Sequence, residues 1–150
     1  VPLDIPIVAD NPSHAARYQG LLGKIPQKAA ADILLKGINV VQDVDSEARK
    51  NFAQKYKLPR GKIEGFYVRE DQSLYVGPDT TDEVFYHEIG HSVQAKSATP
   101  EWRDAWKAEW SFSDQFNTPT ESFAEAFSSW MREQPLPPRT KKAMESWYRD

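Results

Sequence analysis

His87 and His91 stand four residues apart with Glu88 directly after the first, in the run Phe85-Tyr86-His87-Glu88-Ile89-Gly90-His91-Ser92-Val93. On an α-helix, positions i and i+4 lie on one face a turn apart, so both imidazoles can reach one ion at the ~2.0–2.1 Å typical of zinc. Glu88 then stands beside an open coordination position, where it serves as general base to a water rather than as a ligand. A chain with this pattern has to form a helix here, turn one stripe of it toward a cleft and bring a third ligand from elsewhere. Without a metal, the pair would be surface or hydrogen-bonded core histidines; the expected placement of the helix directly after a sheet hairpin favours the metal. Gly90 adds a constraint. Glycine inside a helix costs about 1 kcal/mol relative to alanine, so another backbone or a substrate should pack close to this turn.

The chain has 150 residues and no cysteine, so any ion must be held by His, Asp or Glu. A disulfide scaffold, an iron–sulfur site, a thiolate zinc finger and a cysteine nucleophile are excluded by the same count. The length suits one domain over 1–150, and a domain of this size buries roughly 68–70% of its unfolded surface without needing staples. Nineteen Lys and Arg against 22 Asp and Glu give a net charge of −3 with the signs interspersed, which disfavours nucleic acid as a partner. No apolar run is long enough for a membrane span or a signal-peptide core. The chain begins at Val1, as expected of a processed or truncated product.

Element signals divide the chain into an N-terminal helical part (1–36), a sheet with the histidine-bearing helix (37–97) and a helical C-terminal part (98–150). The first ten residues read as extended and peripheral. Helices are expected from Asn11-Pro12-Ser13 to about Leu22 and from Pro26 to Lys36, stopped by Gly37. A strand follows over Ile38–Val44, then a helix over Ser46–Tyr56. Ile63–Arg69 and Ser73–Val76, joined by the polar turn Glu70-Asp71-Gln72, read as a hairpin. A long helix capped by Thr80 or Thr81 should run to about Lys96, followed by helices over Glu101–Glu109, Pro119–Arg132 and Pro138–Tyr148. The class is α+β with a small, mainly antiparallel sheet, and a site is expected where the sheet edge meets the following helix.

A further His ligand just downstream would need position 97, which is Ser97, and Gln94 stands where that pattern has glycine. His14 is distant in sequence and reads as structural or surface. Glu121, in Thr118-Pro119-Thr120-Glu121-Ser122-Phe123-Ala124-Glu125-Ala126-Phe127, is the better third ligand. Glu125, a turn on, can accept from the free ring N–H of a ligand histidine. Thr118-x-x-Glu121 with Pro119 is equally a capping box, which explains these residues without a metal.

The two motifs together resemble those of the zinc metalloprotease family that includes the catalytic domain of anthrax lethal factor and the secreted Pro-Pro endopeptidases of Gram-positive bacteria. Gly65-Phe66-Tyr67, Tyr75-Val76-Gly77, Trp130-Met131 and the proline-containing last helix are similar in order and spacing, so the likeness spans roughly residues 37–148. It implies a zincin-like fold, one Zn2+ ion on His87, His91 and Glu121, Glu88 as base, Glu125 behind a ligand, and secretion from a bacterium. Pro-containing substrates are one candidate, and cleavage of a signalling protein is equally compatible. The family usually carries a tyrosine shortly before the third ligand, whose hydroxyl stabilises the oxyanion or protonates the leaving group. Here Phe116 falls nearest that place, and Tyr86, Tyr67 and Tyr148 are the replacements to consider.

Zinc chemistry with Glu88 as base implies a zinc-dependent endopeptidase, expected as a monomer acting on a peptide or protein. Strand Ser73-Leu74-Tyr75-Val76 is the expected edge for an extended substrate. The competing reading is a zinc-binding, toxin-like or protein-binding domain with little or no proteolysis. Trp102, Trp106 and Trp110, four apart, form an aromatic stripe expected to pack the core rather than face substrate. Arg60-Gly61-Lys62 reads as a solvated turn, and Pro135–Arg139 as a rigid connection rather than a polyproline ligand.

Overall fold

The computed structural model describes residues 5–55, 57 and 64–149. Asn11 ends the extended start: its side chain accepts from Ser13 N at 2.8 Å and Pro12 takes the first helical position, so α1 runs Pro12–Gly23. Then come α2 (Gln27–Lys36), α3 (Ser46–Lys55), α4 (Asp82–Ser92), α5 (Pro100–Glu109), α6 (Pro119–Met131) and α7 (Pro138–Tyr148). The strands are β1 (Ile7–Val8), β2 (Val40–Asp43), β3 (Phe66–Val68) and β4 (Ser73–Val76). Arg60-Gly61-Lys62 and the expected strand start at Ile63 lie outside the described residues.

The fold is α+β, but its sheet is mixed rather than mainly antiparallel. The strand order is β1-β2-β4-β3. β3 and β4 form the expected antiparallel hairpin, Phe66 opposite Tyr75 and Val68 opposite Ser73, turning through Gln72 at φ 53°. β1 pairs parallel to β2, and β2 parallel to β4. The helical connection through α1 and α2 returns the chain parallel from β1 to β2, whereas the connection through α3 enters β3 antiparallel to β2, and the hairpin then reverses the chain so that β4 lies parallel beside β2. The expected peripheral start is therefore in part a sheet strand. Ser73–Val76 is an interior strand, flanked by β2 and β3 and buried throughout, so it cannot serve as a substrate edge. Among the described residues, β3 is the edge on that side.

Leu74 and Val76 point into the main core, where Phe85 and Ile89 of α4, Phe123 and Phe127 of α6, and Tyr148 of α7 meet them. A smaller cluster of Ala53, Phe66, Val68 and Tyr75 covers the other face. His14, as expected, is structural: its Nδ1 lies 2.9 Å from Asp43 Oδ2, while the Tyr18 hydroxyl donates to Asp43 Oδ1 at 2.6 Å, tying α1 to β2. Arg49, fully buried, grips the Asp79 carboxylate and donates to Val44 O at 2.8 Å, which fixes the turn leading into α4. Pro138 is the first residue of α7, so the proline run is the connection into that helix.

Thr81 caps α4, accepting from Val84 N at 3.2 Å. The helix stops at Ser92, short of the expected Lys96. Ser92 Oγ donates to Ile89 O at 2.6 Å, competing with the backbone ladder, and the chain continues as a 3-10 turn, Gln94–Ala98. Gly90 explains itself in the packing of α4 on α6: a Cβ there would stand 2.8 Å from Ala124 Cα and 3.0 Å from Ala124 O. The two backbones meet one turn beyond Glu121, as the glycine led one to expect.

Candidate metal centre

α4 and α6 cross so that His87, His91 and Glu121 converge. His87 Nε2 lies 3.2 Å from His91 Nε2 and 3.2 Å from Glu121 Oε2, and His91 Nε2 lies 3.2 Å from Glu121 Oε1. Around a tetrahedral ion with bonds near 2.0–2.1 Å, neighbouring donors sit about 3.3 Å apart. Lone-pair-bearing atoms gathered this closely need either a hydrogen shared from a ring N–H or a metal ion between them. Burial alone would lower the His87 pKa, but the hydrogen bonds with Glu121 and Glu125 and the charge of Glu88 outweigh it and push it up to about 9. Two imidazoles and a carboxylate with no thiolate form a donor set that fits zinc.

Thr118 accepts from Glu121 N at 3.2 Å with Pro119 at the first helical position, which is the N-cap half of the capping box and accounts for Thr118 and Pro119. It is compatible with ligation, because Glu121's carboxylate faces the imidazoles while its backbone is capped. Glu125 Oε2 lies 3.1 Å from His87 Nδ1, with its side chain 12% exposed. A carboxylate there holds the Nδ1 proton and leaves the Nε2 lone pair for a metal. Arg132 stands 3.5 Å from both Glu125 Oε1 and Glu83 Oε2, which locates Glu125 in turn.

Glu88 is 6% exposed, and its Oε1 accepts from Tyr67 N on β3 at 3.1 Å. A carboxylate oxygen of Glu88 also lies within 4.8 Å of both histidine nitrogens, so His87, Glu88 and His91 form a group able to hold a metal ion. Glu121 also stands at 3.2 Å from both rings, while Glu88 is tied back to the strand through Tyr67 N.

A cleft of about 390 Å³ opens over His87, Glu88, Glu121 and Glu125, lined also by Glu64, Gly65, Val84, Gln115 and Phe116. A larger hollow of about 620 Å³, lined by Lys24, Trp130, Leu136 and Arg149 among others, contains none of the five site residues. Phe116 lines the cleft, its ring 6.0 Å from that of His87. The three tyrosines considered in its stead are engaged elsewhere. Tyr86 donates to Leu21 O at 2.7 Å, Tyr67 to Gly37 O at 2.8 Å, and Tyr148 OH lies 3.4 Å from Asp32 Oδ2.

Sequence reasoning missed Glu64, Glu83, Gln115 and Arg132. Glu83 lies four residues before His87 and Arg132 seven after Glu125, helical spacings that could have found them. Glu64 and Gln115 stand outside helices and carry no such signal. Among the described residues, no helix is long and apolar enough to cross a membrane. No protein-family model matches this chain, and no curated protein matches it significantly.

Proposed function

We propose that the chain is a zinc-dependent endopeptidase of zincin-like fold, of the kind its motifs resemble. The observation that carries the reading is the convergence of His87 Nε2 and His91 Nε2, 3.2 Å apart, with one Glu121 oxygen 3.2 Å from the first and the other 3.2 Å from the second, and the buried Glu88 carboxylate next to them. Bound zinc would supply a Lewis acid for the scissile carbonyl and lower the pKa of a coordinated water to about 7. His87, His91 and Glu121 would hold the ion. Glu88 takes the proton of the attacking water on a carboxylate oxygen and returns it to the departing amine. Glu125 keeps the His87 Nδ1 proton in place.

In place of the interior strand β4, an extended peptide would lie against β3, which has no further strand on its outer side among the described residues and whose Tyr67 N–H donates to Glu88. Substrates are peptides or proteins, with Pro-containing sequences and secretion resting on the resemblance alone, and the chain acting as a monomer.

A second reading, a zinc-holding domain with weak or no proteolysis, is favoured by the ring of Phe116 in the cleft and by the engagement of three tyrosine hydroxyls elsewhere. Loss of one oxyanion donor costs on the order of 10²–10³ in turnover. A diverse peptide library separates the two. Cleavage that disappears both with a chelator and in Glu88→Ala supports the peptidase; no cleavage dependent on zinc and Glu88 leaves the binding domain.

A further inference from the structure

The indoles of the α5 stripe do more than fill space. Trp102 Nε1 donates to Pro119 O at 2.8 Å, Trp106 Nε1 to Asn117 O at 3.0 Å, and Trp110 Nε1 to Thr140 Oγ1 at 2.9 Å. The first two acceptors flank Thr118, the N-cap of α6, and Glu121 follows in the first turn. The start of α6 is thus held by two indole N–H groups from α5 and by the Thr118 oxygen from within, before the Glu121 side chain reaches the histidines.

We propose that Trp106 is a positioning residue for the third metal ligand: its bond to Asn117 O sets where α6 begins and thereby where Glu121 stands against His87 and His91. This rests on the metal centre assigned above. The Asn117 carbonyl lies ahead of the helical ladder, so hydrogen bonds internal to α6 do not locate it. From there to Glu121 is four residues, about 6 Å at helical rise, and a displacement at the start carries through to the ligand. Metal–ligand distances are held to about 0.2 Å, so a shift of a few tenths of an ångström is enough to weaken the site. The same anchor bears on Phe116, the preceding residue, whose ring lies between His87 at 6.0 Å and Trp110 at 6.4 Å. Because the Trp106 bond is open to water, removing it leaves no buried unpaired carbonyl. The effect falls on position rather than on folding.

The test is zinc affinity, measured by competition with a chromophoric chelator on the full chain for wild type, Trp106→Phe, Trp110→Phe, Glu121→Ala and Trp106→Phe combined with Glu121→Ala. Trp106→Phe keeps an aromatic ring and removes the N–H. It should weaken zinc about 10–100-fold, the usual cost of losing a group that orients a ligand. Trp110→Phe, which loses a part-buried indole bond to Thr140 of α7 and keeps the ring beside Phe116, should leave the affinity unchanged. With Glu121 already removed, Trp106→Phe should cost nothing further, since there is no third ligand left to place. Wild-type affinity in Trp106→Phe, an equal loss in both backgrounds, or an equal loss in Trp110→Phe overturns the proposal while leaving the metal centre standing. A wild-type chain that binds no zinc sinks the metal centre and this proposal together. If the phenylalanine variant is unfolded, an analogue of Trp106 with sulfur in place of the indole N–H keeps the shape and gives the same comparison.

Discussion

Gly90→Ala adds one methyl group at the crossing of α4 and α6, and the structure sets what it must do. The new Cβ would stand 2.8 Å from Ala124 Cα, whereas ordinary contact begins at 3.4 Å, so the helices must separate by about 0.6 Å. The atoms it meets are backbone, and no rotamer change relieves them. Overpacking of this kind costs about 1–3 kcal/mol, while replacing a mid-helix glycine by alanine returns about 1 kcal/mol. The net change in stability is therefore a loss of up to about 2 kcal/mol. The larger consequence is at the metal centre. Glu121 and Glu125 ride on the helix that moves, His87 and His91 on the one that stays, and ligand distances tolerate only about 0.2 Å. Zinc affinity should fall by about tenfold or more, measured by chelator competition, with stability followed by urea unfolding of the metal-free chain. A Gly90→Ala chain that binds zinc as wild type does, and is about 1 kcal/mol more stable, would refute the argument that this close approach sets the site.

Three further outcomes follow from the same geometry. In the metal-free chain His87 holds its proton at pH 7, since its pKa is pushed up to about 9 from 6.5; this stabilisation is complete below about pH 6.5 and is lost as pH rises through about 9. Zinc needs the neutral imidazole, so binding at pH 7 should release about one proton from His87, falling toward zero above pH ~9; calorimetric heats independent of buffer ionisation at pH 7 would contradict this. Glu125→Ala should weaken zinc about 10–100-fold in the same chelator competition, and an unchanged affinity would remove Glu125 from the site. Tyr86→Phe breaks the bond to Leu21 O and should cost about 1 kcal/mol in denaturant unfolding with zinc affinity and cleavage unchanged. A folded Tyr86→Phe chain with a large loss of turnover would return Tyr86 to the search for an oxyanion donor.

The parts of the site that were legible in the sequence are those governed by local rules. The His87–His91 spacing, the Thr81 and Thr118 caps, Pro119 at the first helical position and the Glu121–Glu125 spacing all act within one helix, and each stands as expected. Gly90 conveyed a tertiary fact because a mid-helix glycine is costly unless something needs the space. The sheet order was less legible. The hairpin signal around Gln72 is local, but β1 pairs with β2 across two helices and β2 with β4 across α3 and β3, and no local pattern shows that β4 rather than β3 lies against β2, so the expected mainly antiparallel sheet and the edge at Ser73–Val76 were mistaken. Hydroxyl and indole partners were not legible at all. The periodicity of Trp102, Trp106 and Trp110 indicates a helix, yet nothing in it says that two of the N–H groups reach around Thr118. Nor does spacing reveal that Tyr86 is spent on Leu21 O.

What the site can do depends first on which atoms hold the ion. Anomalous diffraction at the zinc edge, from crystals grown with zinc, measures this directly. One peak per chain within about 2.0–2.2 Å of His87 Nε2, His91 Nε2 and a Glu121 oxygen, with Glu88 outside bonding distance, is the predicted result. No peak at the crossing of α4 and α6, or a peak ligated by Glu88 in place of Glu121, would contradict it.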